Sequence, residues 1–314
     1  MLRIKSTILK VAALAAVTII TFTSCGKNSD VRETRVVIWT SSAEFAQYVE
    51  LFNKTHKDNS AVLVYKDNPA LSIPPAKDEA VPDIIVGSWL RTETPQKYYK
   101  SLSYLFDNKK LTSDIFYQQL LTAGAKKGIQ FLLPVSYNLP AVVFSNENKD
   151  LIPDNYTLSL QQIRETGSAF NQKNKKNAFT RIGFTPLGNS DFLYLASKIY
   201  NSDFREEKGN IVWNNDNLLK TVEELKNWVT TENESARVEE DFVFKYLFMP
   251  YYRQVTSGRT LFSYTTSDQL FKALKDQDLG IDYRWIAQNK KLPIEDSFVR
   301  MGIYKKAHNI VGAT

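Results

Sequence analysis

The sequence predicts an α/β protein with mainly parallel sheets flanked by helices, and three observations carry that expectation. Val36-Val37-Ile38-Trp39 is an unbroken β-branched and aromatic run, as a strand buried on both faces requires. Phe45, Val49 and Phe52 recur at i, i+4 and i+7, the period of an amphipathic helix that reaches about His56, and Ala61 to Tyr65 forms a second strand. Strand, helix, strand in that order is a βαβ unit, whose right-handed crossover makes the two strands parallel.

The other elements follow from the same signals. Ser41 with Glu44 three residues on predicts a capping box for the first helix. Pro82 to Gly87 is a strand, and Thr94-Pro95 opens a helix with proline where its missing N–H does no harm. Ile129 to Leu133 and Ala141 to Phe144 read as strands separated by a loop from Pro134 to Pro140. A second α/β block follows, with a helix over Ser159 to Phe170, a strand over Arg181 to Phe184 and a helix whose face is Phe192, Leu195, Ala196 and Ile199. Leu218, Leu219, Val222, Leu225 and Val229 mark a further amphipathic helix. Thr260 to Tyr264 is a strand, Ser267 caps a helix through Leu274, and strands over Ile281 to Ala287 and Phe298 to Tyr304 complete the pattern.

Composition excludes several functions. The chain of 314 residues is 43% hydrophobic and 24% charged, which is enough apolar surface for a core and argues against disorder. One Cys and two His leave no internal disulfide and no zinc site of Cys/His type, and any metal would need carboxylates and carbonyls; no metal and no cofactor is expected. The excess of 40 basic over 34 acidic groups shrinks once Arg3, Lys5 and Lys10 of the first segment are set aside. The remaining charges are interleaved, as in Glu223-Glu224-Leu225-Lys226, so a nucleic-acid partner is not expected.

Catalytic residues are not expected either. A serine triad needs a histidine base, and His56, between Lys54 and Lys57 at a helix end, reads as a solvated residue near the C-terminal dipole. Gly188-Asn189-Ser190-Asp191 lacks the second glycine of a nucleophile elbow, and no glycine-rich phosphate loop is present. Adjacent acids such as Glu223 and Glu224, or Glu239, Glu240 and Asp241, point apart on a helix and read as a charged solvent face.

The amino terminus reads as an export signal. Arg3, Lys5 and Lys10 precede an apolar stretch from Val11 to Phe22 that is short for a membrane-spanning helix of about 20 residues. Phe22-Thr23-Ser24-Cys25 places the single cysteine directly after it and resembles the lipobox of bacterial lipoproteins, with Phe22 in place of the usual Leu. That resemblance implies a signal peptide over 1–24, acylation of Cys25, and a polar tether over 25–35 that holds the protein at a membrane without spanning it. The implied location is a bacterial membrane, facing the periplasm or the cell exterior.

The ordered series of segments also resembles a family. It comprises Val36 to Trp39 with its helix, Pro82-Asp83-Ile84-Ile85, Leu102-Ser103-Tyr104-Leu105, Lys127 to Pro134, Ala141 to Asn146, and Ser257-Gly258-Arg259-Thr260-Leu261-Phe262. Together these resemble the solute-binding proteins of ABC importers, in the sugar-binding family that includes the maltose-binding protein. Phe144 and Ser145 stand where that family usually has Tyr. The resemblance implies a two-lobed, type II periplasmic-binding-protein-like fold, with lobe I over 36–138 plus 296–314 and lobe II over 139–295. It implies a monomer that captures a carbohydrate between its lobes and delivers it to the transmembrane subunits of a permease, with no catalysis. Family members continue past the strand at Phe298 to Tyr304 with helices that complete the second lobe, so the chain reads as short at its C-terminus, with an apolar patch expected on that lobe. A surface lipoprotein of the same fold without a transport role, such as an adhesin or sensor, or a truncated inactive receptor, is the alternative.

In such folds ligands gather where parallel strands end and helices begin, which selects the candidate ligand-binding residues. Thr40, Ser41 and Ser42 follow the first strand and offer hydroxyls for sugar contacts or for helix capping. Trp89 and Arg91 follow the strand at Ile84 to Val86, with an indole to stack on a sugar ring and a guanidinium to donate to its hydroxyls. Tyr137 and Asn138 lie between the two prolines. Asn189 and Asp191 precede a helix, and Tyr264 and Thr265 end a strand, so each is either a ligand contact or a local structural group.

Overall fold

Arg35–Thr40 (β1), Phe45–Thr55 (α1), Ser60–Tyr65 (β2) and Ile84–Gly87 (β3) open the chain as the hydrophobic pattern requires. β1 runs parallel to both β2 and β3, with Thr40 opposite Tyr65 on one side and Val86 on the other, so the three strands finish at one level. This arrangement comes from a computed structural model that describes residues 35–91, 96–186, 188–202, 204–207, 210–232, 242–275, 278–294 and 298–314. The expected helix at Thr94-Pro95, the signal peptide, the tether with Cys25, and Glu239 to Asp241 lie outside the described residues.

The chain divides into two units, one over 1–90, 95–133 and 300–314, the other over 91–94 and 134–299. The first unit adds Ser103–Asp107 (α2), Gln118–Thr122 (α3) and a small antiparallel pair, Ala125–Lys126 (β4) with Ile129–Gln130 (β5). Leu102 holds the cap position of α2, and Ser103 to Leu105 form its start. Leu133–Ser136 (β6) is an edge of the sheet, whose order is β2, β1, β3, the returning strand Val299–Ile303, then β6. The segment from Pro134 is thus strand as far as Ser136, where a loop was expected; Pro134 is tolerated because β6 is an edge. The returning strand is antiparallel to β3, with Arg300 opposite Gly87.

One carboxylate fixes this sheet. Asp83 is buried, and its Oδ2 accepts the Val37 N–H at 2.8 Å while Oδ1 accepts the N–H groups of His308 and Asn309, each at 2.8 Å. A single side chain therefore ties β1 to the segment after the returning strand through charge-assisted bonds. Around it pack Trp39, Ile73, Ile85, Leu90, Leu132 and Tyr304. α1 lies outside that core: Phe45, Val49 and Phe52 are half-buried, and Tyr48 and Leu51 are exposed.

In the second unit Pro140–Ser145 (β7) is buried along its whole length. Thr157–Leu158 (β8), Leu160–Phe170 (α4), the pair Gln172–Lys173 (β9) and Phe179–Arg181 (β10), and Ser190–Ile199 (α5) follow. Then come the hairpin Arg205–Glu207 (β11) and Asn210–Val212 (β12), Asn215–Asn227 (α6), Tyr251–Thr256 (α7), Ser263–Thr266 (β13), Ser267–Leu274 (α8) and Ile281–Ile286 (β14). The strand expected at Arg181 to Phe184 ends at Arg181. Beyond it Ile182 and Gly183 run beside Arg259 to Phe262 through backbone bonds, because at Gly183 the chain meets α4 at Gly167 too closely for a regular strand. The expected strand start at Thr260 accordingly moves to Ser263.

The sheet order is β13, β7, β14, β8. The expectation of mainly parallel pairing fails in this unit, since β7 is antiparallel to both β13 and β14 and only β14 with β8 is parallel. The cause is topological. β13, α8 and β14 form a βαβ unit whose two strands share a direction, and β7 is inserted between them running the other way. One face carries the main core, in which Phe184, Phe192 and Trp228 pack edge to face. Leu219, Phe244, Phe248 and Phe271 are exposed large apolar side chains of this unit.

Two substitutions test these constraints. Asp83→Ala leaves three N–H groups without their acceptor, that of Asn309 buried and those of Val37 and His308 partly so, and is expected to lower unfolding free energy by about 3 kcal/mol in denaturant titration. A Cβ at Gly183 would sit 1.9 Å from the Gly167 carbonyl oxygen, so Gly183→Ala is expected to cost about 3 kcal/mol or more, whereas Gly128→Ala, with open space around it but a left-handed φ of 78°, is expected to cost only about 1 kcal/mol.

Candidate functional site

The first unit presents its candidate residues where β1, β2 and β3 end together. Thr40 is buried, and its Oγ1 accepts the Ser42 N–H at 3.0 Å. Ser42 Oγ donates to Glu44 Oε2 at 2.7 Å. The capping box expected from Ser41 and Glu44 does not form: α1 starts only at Phe45, with Glu44 at the cap position and no side-chain cap bond. The turn over Ser41 to Glu44 is organised by the Thr40 hydroxyl instead, which leaves Ser41 half-buried at the strand end.

Trp89 stands two residues beyond β3 with φ of 60°, the left-handed region that a bulky side chain rarely occupies. Its indole is 49% exposed. A strained backbone that holds a half-exposed aromatic is the kind of outlier that concentrates at binding sites. Arg91 is exposed. The sequence reading passed over Lys66, directly after β2. Its backbone N–H donates to the Thr40 carbonyl at 2.9 Å, and its ammonium lies 4.4 Å from the Trp39 ring centroid while pairing with Glu79. The hydrogen bond from Lys66 holds the Glu79 carboxyl below its usual range. The signal for Lys66 was its place at the end of the second strand of the βαβ unit.

In the second unit a shallow recess of about 20 Å³, room for about one water molecule, is lined by Pro140, Asp191, Tyr194, Leu195, Lys198, Tyr264, Pro293 and Ile294. It unites two of the expected residues, Asp191 and Tyr264. Asp191, Tyr194 and Lys198 lie at i, i+3 and i+7 of α5 and so share one helix face. Tyr194 and Lys198 escaped the sequence reading, which used the adjoining face of the same helix to define its core. Tyr264 is seated by an edge-to-face contact with Phe192, centroids 5.7 Å apart.

Other expected residues have structural work. Asn189 caps α5, its Oδ1 accepting the Phe192 N–H at 2.9 Å. Thr265 is buried and its hydroxyl donates to Gln269 Oε1 at 3.3 Å. Ser267 does not cap α8; it is the first helical residue, and Thr266 holds the cap position. The Ser267 hydroxyl instead accepts the Leu139 N–H at 3.0 Å and donates to Asn138 Oδ1 at 3.2 Å, since α8 starts beside the segment that leads into β7. Asn138 is thereby fixed, and Tyr137 beside it is half-buried.

A larger groove between α4 and α6, about 350 Å³, holds none of the expected residues. Arg164 and Glu224 face each other there at 3.7 Å, so its one cation is already paired. The smaller recess is the better candidate because it lies at a helix start and strand end. Among the described residues no group of His, Cys, Asp and Glu is placed to hold a metal ion, and no helix is long and apolar enough to cross a membrane.

No family model matches the chain, and no curated protein matches it. Solved structures do. CpMnBP1 with mannotriose bound superposes with a TM-score of 0.63 at 12% identity, over 89% of this chain and 76% of that one. An ABC substrate-binding protein from Listeria monocytogenes in complex with cycloalternan gives 0.59 at 13%, over 90% and 73%. A cyclo/maltodextrin-binding protein complexed with maltotetraose gives 0.59 at 14%, over 91% and 74%. The fold is that of these binding proteins. The type II binding-protein-like α/β architecture implied by the ordered sequence motifs is therefore present.

Ser267→Ala removes the acceptor of the Leu139 N–H and the donor to Asn138. A loss of about 2 kcal/mol is expected, together with faster hydrogen exchange at Leu139 than at the neighbouring amides of β7.

Proposed function

We propose that the protein is a carbohydrate-binding receptor of an ABC importer, held at a bacterial membrane by acylated Cys25 and delivering its sugar to the permease without catalysis. The observation that carries this reading is the fold, matched over about nine-tenths of the chain by proteins solved with mannotriose, cycloalternan and maltotetraose. The residues support it. Each unit offers an aromatic and polar groups at strand ends: Trp89 after β3 and Ser41 and Ser42 after β1 in one, and Tyr264 with Asp191 and Lys198 in the other. Aromatic faces take the C–H surface of a sugar, and the polar groups take its hydroxyls.

Binding then works by population shift, with the sugar favouring whichever conformation it contacts best by the difference in its affinity for the two. The lipid keeps the receptor beside its transporter, because two or more acyl chains anchor a protein stably where a single chain lets go.

Thermal denaturation of the mature chain with mono-, di- and oligosaccharides tests the receptor reading: a cognate sugar is expected to raise the melting temperature as the logarithm of its concentration above Kd. Trp89→Gly should cut that sugar's affinity about tenfold with little change in the unliganded melting temperature, since relief of the left-handed backbone offsets lost burial. No shift with any sugar rejects the reading. Cys25→Ala should move the protein from the membrane fraction to the soluble one, and membrane retention of that variant rejects the anchor.

A further inference from the structure

The first unit is polarised along its strands. Thr40, Ser41, Ser42 and Trp89 lie where β1 and β3 end, and the length of β1 puts the other end of the sheet about 20 Å away. At that other end Arg35 opens β1 opposite Ser60 of β2. Asp83, directly before β3, donates its N–H to the Val37 carbonyl and accepts the Tyr304 N–H on its own carbonyl. The tether implied by the lipobox precedes Arg35 in the sequence and so joins the fold at this end.

Cations collect there. Arg35 and Lys57, the latter in the short link from α1 to β2, come from the βαβ unit. The Lys100 N–H donates to the Ile303 carbonyl at 2.9 Å and the Lys305 N–H to the Tyr98 carbonyl at 2.6 Å, which brings Lys97, Lys100, Lys305 and Lys306 to the close of the returning strand. Lys100 is half-buried and the other five cations are exposed. Asp58, next to Lys57, is an exposed carboxylate at the same end. α2 and the turn after it share a core with Ile303 and Ala307, and they add Asp107 and Asp114 balanced by Lys109 and Lys110. Among the described residues none of the six cations is in an ion pair.

Folding alone does not call for this cluster, because like charges held together repel. The unit spends carboxylates elsewhere: Glu50 on Lys54, Glu79 on Lys66, and Asp83 on backbone N–H groups. A surface of cations without carboxylate partners suits a partner of dense negative charge. With the tether attached at the same end, the headgroup layer of the anchoring membrane is within reach of these side chains, and juxtamembrane Lys and Arg are drawn to anionic lipid.

We propose that the end of the first unit bearing Arg35, Lys57, Lys97, Lys100, Lys305 and Lys306 docks on the anionic phospholipid headgroups of the membrane that holds the lipid anchor. This rests on the anchored-receptor reading above and adds an orientation to it. Docked in this way, the first unit turns the strand ends at Thr40 and Val86, with Trp89 beyond them, away from the bilayer. The contact is electrostatic and released by salt, so it orients the protein and does not replace the acyl chains.

Co-sedimentation of the mature chain, made without acyl groups, with lipid vesicles tests this. Vesicles of mixed phosphatidylglycerol and phosphatidylcholine should bind it about tenfold or more tightly than phosphatidylcholine alone, and about 0.5 M salt should abolish the difference. Lys305→Glu with Lys306→Glu should cut that binding about tenfold, whereas Lys175→Glu with Lys176→Glu, the same charge change on exposed residues of the β9–β10 turn, should alter it less than about twofold. In the unsubstituted chain, phosphatidylglycerol vesicles should slow acetylation of Lys97, Lys305 and Lys306 and leave Lys175 and Lys176 unchanged, which holds the test even where a substituted chain folds poorly. Equal loss from both pairs, no preference for phosphatidylglycerol, or undiminished acetylation overturns the docking and leaves the anchored receptor intact. The anchor fails separately, if Cys25→Ala stays with the membrane fraction through the same salt wash.

Discussion

The carboxylate of Asp83 is the constraint on which the first unit depends. A parallel strand cannot be placed by a tight turn, so the register of β1 and β3 must be set by contacts distant in sequence. Asp83 supplies them, accepting one N–H from β1 and two from the segment near the end of the chain. With β1 held beside β3, Thr40, Tyr65 and Val86 fall on one line, and the loops that follow them emerge from a common edge. Everything that makes that edge a candidate site, from the Thr40 hydroxyl to Trp89, follows from this alignment.

The second unit reaches a comparable edge by another route. Its strand ends are set by a βαβ unit that straddles β7, with Ser267 tying the start of α8 to Asn138 and Leu139. Tyr264 leans on Phe192 from the core, and Asn189 starts α5 so that Asp191, Tyr194 and Lys198 follow on one face. In both units the residues nearest the candidate site spend one polar group on holding the backbone. Pre-positioning of this kind lowers the ordering cost that a ligand would otherwise meet.

The βαβ opening was legible because it rests on local periodicity: an unbroken apolar run, a helical stripe and a second strand appear in the sequence as they do in the fold. Asp191 and Tyr264 were legible because strand ends and helix starts can be located from the same pattern. Other features depended on contacts that a sequence does not display. Ser41 and Glu44 have the spacing of a capping box, but the Thr40 hydroxyl captures the turn first. Gly183 sits in an apolar run that reads as strand, yet its approach to Gly167 breaks the regular ladder. Tyr194 and Lys198 are hidden because a helix pattern identifies its buried face, and the stripe that lines the recess lies beside it.

The charge of the recess narrows the class of ligand further. Asp191 and Lys198, seven residues apart on α5, both line it, so one formal charge of each sign borders the recess. An anion would meet the carboxylate, and a polyamine would meet the ammonium, each at a cost that its other contact must offset. A neutral polyhydroxyl compound meets neither penalty: it can donate to Asp191, accept from Lys198 and set an apolar face against Tyr194 or Tyr264. One cation and one anion beside aromatic rings therefore suit a neutral polyhydroxyl ligand better than a charged solute, on grounds independent of the likeness in fold.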